Sequence, residues 1–152
     1  MLFNFVFWNM GTVSNCYSNV DATNPALGDM IEVLLDDTEG QKMMDNITMN
    51  DRGQIVIQED PGNQPYIAKI WLYDTAADKL TEIAHHDPDR FVAGAPNFLT
   101  QDEESSGVID VSAILGEGWY LFVDQAHYAT DAELVEGGQL LALHIPPGRK
   151  LK

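Results

Sequence analysis

Between Asn46 and His85 four short apolar runs follow one another, and no helical period interrupts them. They are Asn46–Met49, Gln54–Gln58, Ala68–Tyr73 and Leu80–His85. Each is too short to stand as a helix, and each alternates or stays apolar in the manner of a strand. The breaks between them are turn chemistry. Asp51-Arg52-Gly53 is a tight hairpin signal, with glycine available for positive φ. Asp74 to Asp78 is a polar turn. Four strands joined by short turns within about 40 residues is the size of one propeller blade.

The same pattern extends along the chain. Ile31–Leu35, Gly107–Asp110, Trp119–Asp124 and Gln139–Ile145 are further expected strands, and Leu2–Trp8 is another candidate. Helix is confined to single turns. Asp37–Asp45 has room for one, and Ser112-Ala113-Ile114-Leu115 reads as a short helix closed by Gly116. Trp71, Tyr73, Trp119, Tyr120 and Phe122 fall on strands and are expected in the core. A chain of 152 residues, 45% hydrophobic and 21% charged, suffices for one folded domain. The expected class is all-β: a partial β-propeller of about two to three blades of antiparallel four-stranded sheet. Closed propellers need roughly four to eight blades. Such a chain is therefore expected to belong to a longer protein, to assemble as a homo-oligomer, or to form an open sheet stack with edges to protect.

Charge narrows the partners. Twenty-four acidic residues against eight basic ones give a net charge of −16. That field repels nucleic-acid phosphates and anionic lipid, so neither nucleic acid nor a membrane surface is an expected partner. Divalent cations are attracted, although solubility alone also produces acidic surfaces, so the positions of the acids decide. No apolar run approaches the ~20 residues that span a bilayer. Leu2–Trp8 is interrupted by Asn4 and preceded by no Lys or Arg, which makes a poor signal peptide. One cysteine, Cys16, excludes an internal disulfide and a cysteine-based zinc site, and leaves the compartment unread.

Three acidic strings carry the candidate chemistry. Asp45-Asn46 precedes the hairpin. In a propeller the first strand of a blade lines the central channel, so side chains at its start face the axis, where carboxylates and amide carbonyls suit Ca²⁺. The plainer reading is a pair of turn caps. Glu59-Asp60-Pro61-Gly62 ends the second strand, and a hairpin would return Glu59 and Asp60 toward Asp45 as supporting ligands. Neighbouring carboxylates repel unless a cation or proton intervenes, and a solvated Pro-Gly loop is the alternative. Asp102-Glu103-Glu104-Ser105-Ser106-Gly107 packs three acids just before an expected strand, as a solvated loop or as a functional run entering that strand. His127, after the strongest strand, is suited to ligate a metal, to hydrogen-bond a phosphate oxygen or simply to pack. His85-His86-Asp87 opens a proline-containing loop and reads as structural or solvent-facing. Ser105 and Ser106 have no evident general base. No Gly-rich phosphate loop, Gly-x-Ser-x-Gly elbow or His-Glu-x-x-His is present.

Taken together, Asp45-Asn46-Ile47-Thr48, Gln58-Glu59-Asp60-Pro61-Gly62-Asn63 and Asp102-Glu103-Glu104-Ser105-Ser106-Gly107 resemble the PhoX-type alkaline phosphatase and phytase-like family. The resemblance runs from about Asn19 to Ile145 and includes Ala68-Lys69-Ile70-Trp71-Leu72-Tyr73-Asp74 and Gly137-Gly138-Gln139-Leu140-Leu141-Ala142-Leu143. Residues 1–18 stand apart as a non-matching leader, with 19–152 as the partial propeller domain. The resemblance implies six-bladed propellers, often exported, that hydrolyse phosphate esters with iron and calcium clustered at the channel mouth. It assigns metal-ligand roles to Asp45, Asn46 and Glu104, with Gly107 as the glycine of a Glu-x-x-Gly string. Glu59 and Asp60 would support them, and His127 would act near the phosphate. Gln125 precedes His127 with one extra residue, Ala126, between them. The Asp-Asn-plus-hairpin pattern is also similar to gluconolactonase-type propellers, where the polar pair reaches a central divalent metal. The family's cysteine ligand, early glutamates and Arg-Pro-Glu-Asp string have no counterpart here. The expectation is thus the C-terminal portion of a PhoX-like, metal-dependent phosphatase. It would hold part of a Ca²⁺ site, with iron in the full-length family, and have little activity alone. The alternative is a non-catalytic β module that self-associates or completes a partner through open sheet edges.

Overall fold

The computed structural model describes residues 4–8, 12–18, 29–36 and 38–148. Strands β1 (Asn4–Trp8), β2 (Thr12–Ser18) and β3 (Asp29–Leu35) form an antiparallel sheet in the order β1-β2-β3. They belong to a first compact unit, Met1–Met44. β2 carries no clear apolar alternation and was not expected, yet it pairs with β3, so the leader and the chain that follows share one sheet. Leu2 and Phe3 of the expected first strand, and Asp37 of the expected helical turn, lie outside the described residues.

The second unit, Asp45–Lys152, holds the rest. β4 (Met44–Met49), β5 (Gln54–Glu59), β6 (Lys69–Asp74) and β7 (Lys79–His85) form a four-stranded meander in sequence order. After α1 (Pro88–Phe91) come β8 (Glu103–Asp110), α2 (Ser112–Leu115), β9 (Trp119–Ala129) and β10 (Glu136–His144). The last three strands make a second antiparallel sheet in the order β10-β9-β8. The antiparallel β class is as expected, but this second sheet has three strands where four were expected. The expected hairpin forms between β4 and β5. Asn50 Oδ1 accepts from the backbone N–H groups of Arg52 and Gln54, both at 3.0 Å, and Gly53 takes a φ of 76°. Among the described residues no helix is long and apolar enough to cross a membrane.

The core lies between the two sheets of this unit. Val56, Ile70 and Leu72 from one meet Val108, Tyr120 and Phe122 from the other, with Ile145 just past the end of β10. Each such side chain contributes about 1.5–3 kcal/mol when fully buried. Polar bridges help fix the docking; among them, Asn50 Nδ2 donates to Tyr120 Oη at 2.9 Å, and the Val108 N–H donates to Gln58 Oε1 at 2.9 Å. Of the expected core aromatics, Trp71, Tyr73, Tyr120 and Phe122 are buried, while Trp119 is half-buried and stacks on His144 at 4.6 Å.

The largest extensions beyond the apolar pattern are in two strands, and both changes matter. β8 starts at Glu103 rather than Gly107, and β9 reaches Ala129 rather than ending at Asp124. Acidic residues are poor strand formers, but the extended β9 supplies partners: Glu103 faces Ala126, Glu104 faces Gln125 and Ser105 faces Asp124. The three-acid string is therefore largely strand, not loop. Between Ser106 and Ile109 the register slips by one residue, with Gly107 at a φ of 66°. This bulge re-phases the strand: Glu103 and Ser105 are buried before it, and Val108 after it.

Candidate functional site

Successive strand residues face opposite sides, so Glu103-Glu104-Ser105-Ser106 sends one pair into the interior and the other outward. On the outward side, carboxylate oxygens of Asp45, Asp60 and Glu104 lie within 4.8 Å of one another. Asp45 is the second residue of β4, Asp60 directly follows β5, and Glu104 is the second residue of β8. Asn46 Nδ2 donates to Asp45 Oδ2 at 2.5 Å and to Ser106 Oγ at 3.2 Å, tying β4 to β8. Asp60 Oδ1 accepts the Gly62 N–H at 3.0 Å, which fixes the turn after β5.

The electrostatics follow from this crowding. Burial, then a hydrogen bond to Asp60 and the charges of Asp60 and Asp45, push the Glu104 carboxyl up to about 7. His127 acts in the opposite sense on it. His127 itself is exposed, and its Nδ1 pairs with Glu136 Oε2 at 2.7 Å. That hydrogen bond is the main cause of its raised pKa, with the charges of Glu136, Asp102 and Glu104 adding to it. The His127 N–H donates to Asp102 O at 2.9 Å, and Gln125 lies across the strand pair from Glu104.

Oxygen ligands of one Ca²⁺, held at about 2.3–2.6 Å from it, can lie no more than about 5 Å apart. The three carboxylates meet that limit, and an all-oxygen donor set suits a hard divalent ion. Asp45, Asn46, Asp60 and Glu104 are thus drawn together by the fold, with His127 beside them. Glu59 is not. It is fully buried and accepts from Trp71 Nε1 at 2.8 Å, the Lys69 N–H at 3.0 Å and Tyr66 Oη at 3.2 Å. Its expected role as a supporting ligand is corrected to that of an interior acceptor. The hairpin does return the strand end near Asp45, but adjacent residues there face opposite ways.

The interior side of β8 faces His86, which the sequence reads as structural or solvent-facing. His86, only 10% exposed in its side chain, bonds Asp124 Oδ1 through Nε2 at 2.7 Å. Its Nδ1 lies 3.3 Å from Ala68 O and 4.0 Å from Glu103 Oε1. Burial lowers its pKa, yet the hydrogen bond to Asp124 and the charges of Asp124 and Glu103 raise it above the ordinary value. Glu103, 1% exposed, accepts the Ala68 N–H at 3.1 Å through Oε1. Burial lifts its pKa, against the Ala68 N–H and His86. Glu103 Oε2 and Ser105 Oγ are buried with no hydrogen-bond partner. Of the two expected readings His86 takes the structural one; its partner stands 38 positions away, beyond the reach of any local pattern. A cavity of about 530 Å³ opens beside it, bounded by Ile70, Phe91, Phe122 and Leu141 among others.

No protein-family model, no curated protein and no solved structure matches the chain, so the PhoX-type resemblance rests on the strings quoted above.

Proposed function

We propose that Asp45, Asp60 and Glu104 bind a divalent cation, with Ca²⁺ the ion best suited to the donors, and that cation binding is the function of this unit. The observation that carries the reading is the approach of three carboxylate oxygens to within 4.8 Å, drawn from three strand ends. A carboxyl crowded by two others is one whose ionisation a cation would favour. The net charge of −16 adds a general attraction. With this goes a finer reading of the fold: the two face-packed sheets are neighbouring propeller blades, and β4 and β8 are inner strands whose starts converge on the ion. The PhoX-type resemblance would make the site part of a phosphate-ester hydrolase, with His127 near the phosphate. That chemistry calls on several metals to hold substrate and activate the attacking oxygen. Three carboxylates hold one, so the chain alone is expected to hydrolyse little.

Calorimetric titration with CaCl₂ tests the cation reading. The expected result is one ion per chain, with affinity rising by up to about tenfold per pH unit below about pH 7 and levelling above it, because the ion displaces a proton from Glu104. Asp60→Ala combined with Glu104→Ala should abolish the heat. No heat in the native chain, or the same heat in the double variant, would overturn the reading. Hydrolysis of p-nitrophenyl phosphate with added Ca²⁺ and Fe³⁺ examines the hydrolase reading separately.

A second reading has one observation in its favour. β10 ends the three-stranded sheet, and Leu134, Val135 and Leu140 on or before it are 66%, 73% and 73% exposed. Self-association through that edge would cover them. Light scattering over a concentration series should then show mass rising above that of one chain.

A further inference from the structure

The cavity on the interior side of β8 shares no carboxylate with the cation cluster, and its chemistry differs. Its volume of about 530 Å³ falls within the range of about 300–1,000 Å³ typical of small-molecule sites. Ile70, Phe91, Phe122 and Leu141 give it apolar walls. The charges on its border are already paired. His86 bonds Asp124 at 2.7 Å, and the Arg90 guanidinium lies 3.7 Å from Asp87. An ionic ligand would have to break one of those pairs, and an anion would also enter against the charge of the whole chain. A buried polar group on the wall, the hydroxyl of Ser105, is unpaired. It is 2% exposed and has no hydrogen-bond partner, although Asp124 is its cross-strand neighbour.

Catalysis by that hydroxyl is unsupported. A serine nucleophile needs a base within hydrogen-bonding reach. The His86 ring is committed at Nε2 to Asp124 and faces the Ala68 carbonyl at Nδ1. The serine is placed to recognise.

We propose that this cavity binds an uncharged amphipathic small molecule, an apolar ring or branched chain bearing one hydroxyl, carbonyl or amide group that pairs with Ser105. The proposal is independent of the cation reading, since the two sites use opposite faces of β8.

The test uses N-phenyl-1-naphthylamine, an uncharged fluorescent dye with one N–H group, and its anionic relative 1-anilino-8-naphthalenesulfonate as a control. Saturable binding of the neutral dye at one site per chain is expected, tighter than that of the anion. Ala84→Phe, which fills the cavity from β7, should weaken it by about tenfold or more. Ser105→Ala should weaken it about three- to tenfold, the effect of one hydrogen bond. Because the hydroxyl has no partner in the protein, the same variant should melt at an unchanged or higher temperature, which keeps the binding result interpretable. No saturable binding, tighter binding of the anion, or unchanged affinity in both variants would overturn the proposal. The last result would place the dye on the exposed Leu134, Val135 and Leu140. A Ser105→Ala chain with unchanged affinity and a lowered melting temperature would also overturn it, by giving the hydroxyl a purely structural role.

Discussion

Glu103 and Glu104 are neighbours in sequence and lie on opposite sides of one strand. In both, burial is the first cause of a raised pKa. The second causes differ in sign. Glu103 is drawn back down by the Ala68 N–H and by His86, whereas Glu104 is driven further up by Asp60 and Asp45. The interior one has been given an N–H donor and a neighbouring imidazole. The outward one has been given more carboxylates. Glu59 and Asp60 repeat the division at the end of β5, one bonded by indole, hydroxyl and amide donors and the other turned to the acidic cluster. Compensated acids serve the fold, and the uncompensated ones collect where an ion would complete them.

The sharpest way to break this contrast is at Glu59. Removing a buried acceptor strands its donors, at a cost of about 1–3 kcal/mol for each group left without water. Glu59→Ala, which strands Trp71 Nε1 and the Lys69 N–H, should lose about 3 kcal/mol by urea unfolding. Asp60→Ala, one residue on, gives up one turn hydrogen bond and should lose no more than about 1 kcal/mol, offset in cation-free buffer by relief of the carboxylate crowding. Equal losses would mean that the two acids are not divided as described. A smaller effect is expected at His86. His86→Ala removes the bond to Asp124, the edge-on contact with Phe91 at 5.4 Å and the imidazole nearest Glu103. A loss of about 2 kcal/mol is expected, since a buried charge deprived of its partner is costly. A neutral result would show that Glu103 and Asp124 are satisfied without the imidazole.

How much of this was legible in the sequence depends on the range of the interaction. Period-2 runs and the Asp51-Arg52-Gly53 turn locate β4 to β7 to within one or two residues, because strand periodicity and turn geometry are local. The approach of Asp60 to Asp45 was also readable, since a hairpin returns the end of β5 to the start of β4, whereas Glu104, on β8 of the other sheet, was named only through the family resemblance. What escaped was the phase. Whether Glu103 or Glu104 faces outward is set by pairing with Ala126 and Gln125, in a part of β9 that the apolar pattern did not reveal. The Glu59 assignment failed for the same reason, one residue of strand separating an interior acceptor from an outward carboxylate. His86 gave no local signal at all, because its partners Glu103 and Asp124 come from two other strands.

The smallest effect is the most specific, because it should grow with pH and reverse when Ca²⁺ is added. The Glu104 pKa stands near 7 in the folded chain against an ordinary value of 4.5. A carboxyl raised on folding favours the folded state while protonated. Its contribution is therefore full below about pH 4.5 and is lost as the pH rises through about 7. The whole shift would correspond to about 3 kcal/mol, but the side chain is only partly buried and solvent screening reduces this to about 1 kcal/mol. Glu104→Gln removes the titration. In cation-free buffer it should match the native chain near pH 4 and exceed it by about 1 kcal/mol at pH 8. Adding CaCl₂ at pH 8 should then reverse the order, because the ion compensates the native cluster and finds one ligand fewer in the variant. Denaturation curves that stay parallel across this pH range would mean that Glu104 does not feel Asp60 and Asp45. A variant that remains ahead in CaCl₂ would mean that the crowding of the acids is not there for an ion.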